Sequence, residues 1–299
     1  MFEWSPEVVV DEALARRLIR GQFPEVEAAS LRLLGEGWDT TVWLVDETWA
    51  FRFPRKAFAI AGLENEIAYL PTIAARLPLP IPVPTLIGQA TDQYAWPFYG
   101  APFLPGRELA DVAPDDGDRV RLARPLAEFL RALHSLDLDT ELPADPVRRA
   151  DMAYRVPATR KRLAEVADLG LWRPPALVDD LLATAERLPA PRAKAICHGD
   201  LHLRHLLLDD TGIPAAVIDW IDLSRNEPAV DLVLFWSALP PEARVAFLEA
   251  YGSVTDEALL RARVLSLFLC GTLAVYAHGE RLPRLEREAV GGLARTLSG

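Results

Sequence analysis

The residues best suited to chemistry lie between Ile196 and Leu232, in ICHGDLHLRHLLLDDTGIPAAVIDWIDLSRNEPAVDL. This stretch holds three of the five histidines, His198, His202 and His205, together with Asp200, Asp219, Asp222 and Asp231. Two short apolar runs, Leu206–Leu208 and Ala215–Ile218, flank a turn at Asp209–Gly212, so the pattern reads as a polar loop followed by a hairpin. Asp200 precedes the first run and Asp219 follows the second, and the open end of a hairpin brings both carboxylates into one small volume. One acid to orient a hydroxyl and one to hold a divalent cation are the minimum for phosphoryl transfer. The three histidines, spaced four and three, would share a face of a helix and suggest zinc. Gly199 and the strand-like runs on either side argue instead for a loop.

The pattern H-G-D-L-x-x-x-H, then I-D-W, then E-P-x-x-D-L resembles the aminoglycoside and macrolide phosphotransferases, antibiotic kinases with a protein-kinase-like fold. In that resemblance His198-Gly199-Asp200 stands at the kinase H-R-D, and Asp219 at the Asp of D-F-G. It implies that Asp200 orients or deprotonates the acceptor hydroxyl, that Asp219 ligates Mg²⁺, and that His198 holds the loop. Asp231 is expected to bond the loop backbone, and Asp222 to support the site from behind. Five residues after the catalytic Asp, kinases place Asn, whereas this chain has His205, as macrolide kinases and some aminoglycoside kinases do. His205 is therefore a candidate second metal ligand, although Mg²⁺ prefers oxygen donors.

The elements that must position these groups begin with Ser5-Pro6-Glu7, a helix start with Ser as cap, leading to about Arg20. Short β-type runs follow at Leu31–Leu34, Thr41–Val45 and Trp49–Phe53, the last two joined at Asp46-Glu47. Between the first two, Gly35-Glu36-Gly37-Trp38-Asp39 forms a turn where backbone could approach a triphosphate. The segment E-G-W-D…F-R-F-P-R resembles the same region of aminoglycoside phosphotransferases, which puts Arg52 at the position of the phosphate-binding Lys. Its partner is expected on the next helix, LENEIAYL, with Glu66 favoured over Glu64, and Pro71 should end or kink that helix near Leu70. An extended LPLPIPVP segment then feeds a strand pair, Thr85–Gly88 and Tyr94–Tyr99. Gly100–Gly106 reads as a linker, in which the Pro102 carbonyl and the Leu104 N–H are candidates to bond a purine.

Beyond it, apolar spacing from Asp118 to Leu136 predicts one amphipathic helix kinked by Pro125, with His134 packed near its end. Two helices are expected between Pro146 and Leu188. The last third should be helical, with breaks at Pro240-Pro241, Gly252 and Pro283. Val264–His278 carries no formal charge. No apolar run in the chain is expected to reach membrane-spanning length, so this one reads first as a buried helix, and it resembles the apolar floor of the macrolide kinases.

The net charge of −11 argues against a nucleic-acid surface. Acids exceed bases nine to three over residues 196–252, as a cation site requires. Two cysteines, Cys197 and Cys270, give no disulfide framework, and the N-terminus shows no secretion signal, so a cytoplasmic protein is expected. The fold expected is α+β, protein-kinase-like and bilobal: a small β-rich lobe over 1–100, a hinge at 101–106 and a larger helical lobe over 107–299. The activity expected is O-phosphotransfer from ATP or GTP, with Mg²⁺, to a hydroxyl of an aminoglycoside-type antibiotic. A macrolide or another hydroxylated metabolite is the alternative acceptor, and a non-catalytic nucleotide-binding pseudokinase the alternative of a different class.

Overall fold

The computed structural model describes residues 6–138 and 142–298. The chain divides into two compact units, Met1–Arg76 with Pro80–Leu104, and Leu77–Leu79 with Pro105–Gly299.

In the first unit, helix α1 spans Glu12–Gln22 and is capped by Asp11, whose carboxylate accepts from Leu14 N at 2.7 Å. The predicted start at Pro6 is thus displaced, and its cap, Ser5, lies outside the described residues. The reason is local: the Glu7 and Val8 amides donate to the Arg55 carbonyl and the Val10 carbonyl accepts from Trp43 Nε1, which holds this segment out of a helix. Five strands follow, β1 (Leu31–Glu36), β2 (Thr40–Val45), β3 (Trp49–Pro54), β4 (Leu86–Gly88) and β5 (Phe98–Pro102), in the antiparallel order β1-β2-β3-β5-β4. Asp46 and Glu47 both have positive φ, the twist a two-residue hairpin turn requires. Alternation along β3 sends Phe51 and Phe53 into an aromatic core with Phe23, Tyr94 and Phe98, Phe53 stacking on Phe98 at 4.7 Å. The predicted strand at Tyr94–Tyr99 begins only at Phe98, because Pro97 has no N–H to give the ladder, and Tyr94 makes an isolated bridge with Thr91. Helix α2 (Ala59–Ala74) runs through Pro71 instead of ending before it. Pro71 falls in the last turn, where it removes one hydrogen bond, and buried Leu70 and Ile73 keep the turn in place.

The second unit is mainly helical: α3 (Leu109–Val112), α4 (Asp116–Arg119), α5 (Ala123–His134), α6 (Met152–Asp168), α7 (Leu177–Ala185), α8 (Val233–Ser237), α9 (Pro241–Tyr251), α10 (Asp256–Gly279) and α11 (Pro283–Leu297). The single kinked helix predicted from Asp118 is two helices with a 3₁₀ turn, Val120–Leu122, between them. Pro125 lies in the first turn of α5, where its missing N–H costs no hydrogen bond. Helix α10 contains the uncharged run and is long and apolar enough, by length and composition, to cross a membrane. That corrects the expectation that no segment reaches such a length. Here it is a core helix packed on α6, α8 and α11, with Arg261 buried and bonded to the Ala150 carbonyl. Short strands complete the unit: β6 (Arg107–Glu108), β7 (Ala195–Cys197), β8 (Leu206–Leu208), β9 (Pro214–Val217) and β10 (Ser224–Asn226), in the orders β6-β8-β9 and β10-β7.

Candidate active site

The loop from His198 to His205 joins β7 to β8, and its backbone is gripped from behind. The His198 and Gly199 amides donate to the two oxygens of Asp231 at 2.8 and 2.9 Å. Asp231 is fully buried and also bonds His134 Nε2 at 3.0 Å, while His134 Nδ1 meets the Tyr251 hydroxyl at 2.8 Å. One tautomer satisfies every contact: Nε2–H donates to Asp231 and Nδ1 accepts from Tyr251. His198 is arranged alike, its Nε2 donating to the Ile218 carbonyl at 2.9 Å and its Nδ1 accepting from Asp200 N at 3.2 Å. Burial lowers the His198 pKa, which agrees with this neutral form. Gly199 has φ +88°, and a Cβ there would lie 2.4 Å from the Asp222 carbonyl oxygen, so the chain admits only glycine.

The front of the loop is organised differently. The Asp200 side chain is 26% exposed, and its Oδ2 lies 3.6 Å from His202 Nε2 and 3.9 Å from His205 Nδ1. His205 Nδ1 bonds the Asp200 carbonyl oxygen at 2.8 Å, which assigns the proton to Nδ1 and turns Nε2 to Asp219 Oδ2, 3.3 Å away. His202 and His205 stack at 3.8 Å. Asp219 has φ +67°, a left-handed backbone that it shares with six other non-glycine residues among those described and that aspartate adopts more readily than most side chains. Burial, with Asp222 and Asp219 nearby, pushes Asp200 above the ordinary carboxylate range, against the opposing pull of His205 and Arg149. Burial opposes protonation of His205, but Asp219 and then Asp200 outweigh it and raise its pKa. Burial, then His205 and Arg204, pushes His202 well below its usual value. A carboxyl whose proton affinity is raised beside a neutral histidine is equipped to take a proton from a hydroxyl.

The helical reading of the three histidines does not hold: residues 198–205 form a loop with one turn, and both ring nitrogens of His198 are engaged. Ligand atoms of Asp200, His202 and His205 do fall within 4.8 Å of one another.

Two arginines that the sequence reading passed over complete this surface. Arg149 bonds Asp145 at 2.9 Å and Asp222 at 2.6 Å, which places Asp222 in an ion pair behind Asp200. Arg155, on α6, is buried with its guanidinium 4.3 Å over the Phe268 ring. Both line a recess with Asp200, Gly199, Val230 and the α10 residues Leu265, Phe268 and Leu269. At the start of β8, Arg204 is tied to Glu108 at 2.9 and 3.2 Å. The one local signal for Arg149 was Asp145, four residues before it.

In the first unit, Gly35 lies in β1 at a register shift against β2, and Gly37 in the turn that follows. The Gly37 amide bonds the Thr40 carbonyl at 2.9 Å, and the Gly37 carbonyl accepts from Arg55 at 2.8 Å. Neither glycine needs its freedom here: both have ordinary φ, and a Cβ on either would meet nothing closer than 3.6 Å. Arg52 is buried in β3 with its Nε 3.3 Å from Glu66 Oε2 on α2, whereas Glu64 is exposed. Pro102 ends β5 opposite Trp49 and is exposed, and Leu104 follows it half-buried.

A model of the phosphotransferase enzyme family matches residues 30–265. A Bacillus subtilis (strain 168) protein, YcbJ, itself described as uncharacterized, is 27% identical over 259 residues, covering 78% of each chain. Among solved structures, the GDP and kanamycin complex of APH(2")-IIia superposes with a TM-score of 0.67 at 24% identity, covering 94% of this chain and 97% of that one. Macrolide 2'-phosphotransferase type I gives 0.60 at 20% identity, covering 97% and 98%. These likenesses show the kinase-like α+β fold of the aminoglycoside phosphotransferases.

Proposed function

The chain belongs to the phosphotransferase enzyme family, and from that premise we propose that it moves the terminal phosphoryl group of ATP or GTP onto a hydroxyl of a small molecule. The observation that carries this reading is the loop geometry: Asp200 stands free on a backbone fixed by Asp231, with His205 between it and Asp219. In the reaction the acceptor oxygen bonds the γ-phosphorus, the bond from that phosphorus to the β,γ-bridging oxygen breaks, and the nucleoside diphosphate leaves. The hydroxyl proton passes to Asp200 and on to solvent. Positioning and charge stabilisation supply most of the catalysis in such transfers.

The residues present fit a divalent cation. Asp219 offers a carboxylate aimed by its left-handed backbone, and His205, its proton held on Nδ1, offers the Nε2 lone pair beside it. Bound there, Mg²⁺ would neutralise the phosphates; the nitrogen donor makes Mn²⁺ a competent substitute. In the first unit we assign the triphosphate to Gly35, Gly37 and Arg52, with Glu66 fixing the arginine, and the purine to Pro102 and Leu104. That the turn does not itself require glycine supports this assignment, because close approach of a phosphate is then the remaining reason for two of them. The GDP bound in a structural neighbour supports a nucleotide donor. The cysteines, both free and buried, suit the cytoplasmic setting proposed from their number.

For the acceptor, the resemblance of the N-terminal third and the kanamycin-bound neighbour support an aminoglycoside, and the apolar side chains of α10 beside Asp200 support a macrolide. A phosphotransfer screen with kanamycin- or gentamicin-type against erythromycin-type compounds, at matched ATP and GTP, tests both. The reading fails if the folded protein neither transfers to any hydroxyl compound nor hydrolyses nucleotide; that outcome would support the pseudokinase.

A further inference from the structure

Four arginines of the second unit are less than a tenth exposed among the described residues: Arg119, Arg155, Arg244 and Arg261. Three are matched. Arg119 meets both oxygens of Glu288 at 2.7 and 2.9 Å. Arg261 meets Glu257 at 2.9 Å and a backbone carbonyl at 2.7 Å. Arg244 donates to five backbone carbonyls. Arg155 has one long bond, Nε to the Arg149 carbonyl at 3.4 Å, and the ring faces of Phe268 and Tyr154 at 4.3 and 5.9 Å. Its terminal nitrogens have no acceptor among the described residues, yet they belong to a side chain that lines the recess containing Asp200.

A buried cation is ordinarily paired with an anion or saturated with carbonyls, because desolvation is costly. Contact with an aromatic face offsets part of that cost and leaves the planar donor fork unused. Arg149 cannot serve as an anion receptor, since Asp145 and Asp222 already occupy it. Burial, and then the neighbouring Arg149, draws the Arg155 guanidinium below its ordinary range, against the weaker opposing pull of Asp145 and Asp200, neither of which bonds it. The inner part of the recess is about 30 Å³, enough for about two waters or one carboxylate group, and it opens to solvent. Val230, Leu265 and Phe268 form its apolar sides.

Resting on the phosphotransferase reading, we propose that Arg155 is an oxyanion subsite for the acceptor, and that the acceptor is a hydroxylated carboxylic acid with an apolar body. The carboxylate takes the planar fork in a bidentate pair, the body lies on α10, and the hydroxyl reaches Asp200. A polycation would instead set ammonium groups against a guanidinium.

Calorimetry on the full chain, with Mg²⁺ and nucleoside diphosphate present, compares benzoate with benzamide. Benzoate should bind at least about tenfold more tightly, Arg155→Gln should erase the difference, and Arg155→Lys should keep part of it. Transfer to 4-(hydroxymethyl)benzoate should likewise exceed transfer to 1,4-benzenedimethanol. Equal binding of benzoate and benzamide by the wild-type chain overturns the proposal. So does a folded Arg155→Gln that loses nucleotide affinity and keeps benzoate affinity, because the oxyanion would then be a phosphate of the donor. If Arg155→Gln does not fold, the wild-type comparison and Arg155→Lys still decide. Acceptor-independent nucleotide hydrolysis in the same samples tests the phosphotransferase reading separately. Hydrolysis or transfer without carboxylate selectivity sinks the subsite alone, and carboxylate selectivity with neither hydrolysis nor transfer to any hydroxyl compound sinks the enzyme reading alone.

Discussion

The two sides of the His198–His205 loop are built on opposite principles. Behind it, Tyr251, His134, Asp231 and His198 form a chain in which every proton has one consistent place and every contact is 2.8 to 3.2 Å. In front of it, the contacts between the side chains of Asp200, His202, His205 and Asp219 stretch from 3.3 to 3.9 Å, and the one short bond, from His205 Nδ1, goes to the Asp200 backbone carbonyl at 2.8 Å. A buried network of short bonds fixes a backbone, whereas a set of longer contacts between titratable groups leaves proton affinity for use. Removing a residue behind the loop should therefore cost structure, and removing one in front should cost activity.

The sharpest separation comes from Asp200→Ala, which should reduce transfer by roughly a thousandfold while the melting temperature stays level or rises, since a carboxylate disfavoured by burial is gone. Turnover within tenfold of wild type would remove Asp200 from its role. Asp219→Ala should lose Mg²⁺-dependent nucleotide affinity by about a hundredfold with the fold intact; calorimetry showing undiminished affinity would mean the cation is held elsewhere. Behind the loop, Asp231→Ala should cost about 3 kcal/mol of stability in denaturant unfolding, because two buried amides and His134 lose their acceptor. A loss of activity at unchanged stability would contradict the division of labour.

The pH dependence of that pair sharpens the point. Burial favours the acid form of Asp231, but His134 and the loop amides outweigh it and hold its pKa below 3.8. A depressed carboxyl contributes stability that is fully present above its unfolded value and is lost as pH falls through its folded one. Wild-type stability should therefore fall more steeply below pH 3.8 than that of Asp231→Asn. The smallest effect is expected for His205→Asn, which should keep transfer within about tenfold and shift preference from Mn²⁺ toward Mg²⁺, since the amide supplies oxygen. Complete inactivity of the folded variant with both metals would show that the ring does more than fill a ligand position.

What was legible in the sequence was local or periodic. The hairpin at Leu206–Val217, the Asp46-Glu47 turn and the choice of Glu66 over Glu64 follow from spacing or from the resemblance, and the structure has each. Proline was read too strictly at Pro71 and Pro125, because its cost depends on which turn of the helix it occupies, and spacing does not give that. Arg149 and Arg155 were missed because they reach Asp200 only through the packing of α6 and the segment before it, about fifty residues away in the chain. Among the arginines of that segment, nothing in residue type marks Arg155 as buried and Arg149 as half-buried.

The contact between Gly199 and the Asp222 carbonyl has a consequence for how such a chain can diversify. Any side chain at 199 would wedge apart the two stretches that carry Asp200 and Asp219, so their mutual spacing is locked by an atom that is not there. The walls supplied by α6 and α10 have no such lock. If Arg155 and Phe268 hold the acceptor as proposed, exchanging them would alter which molecule is phosphorylated and leave the transfer step itself unaltered.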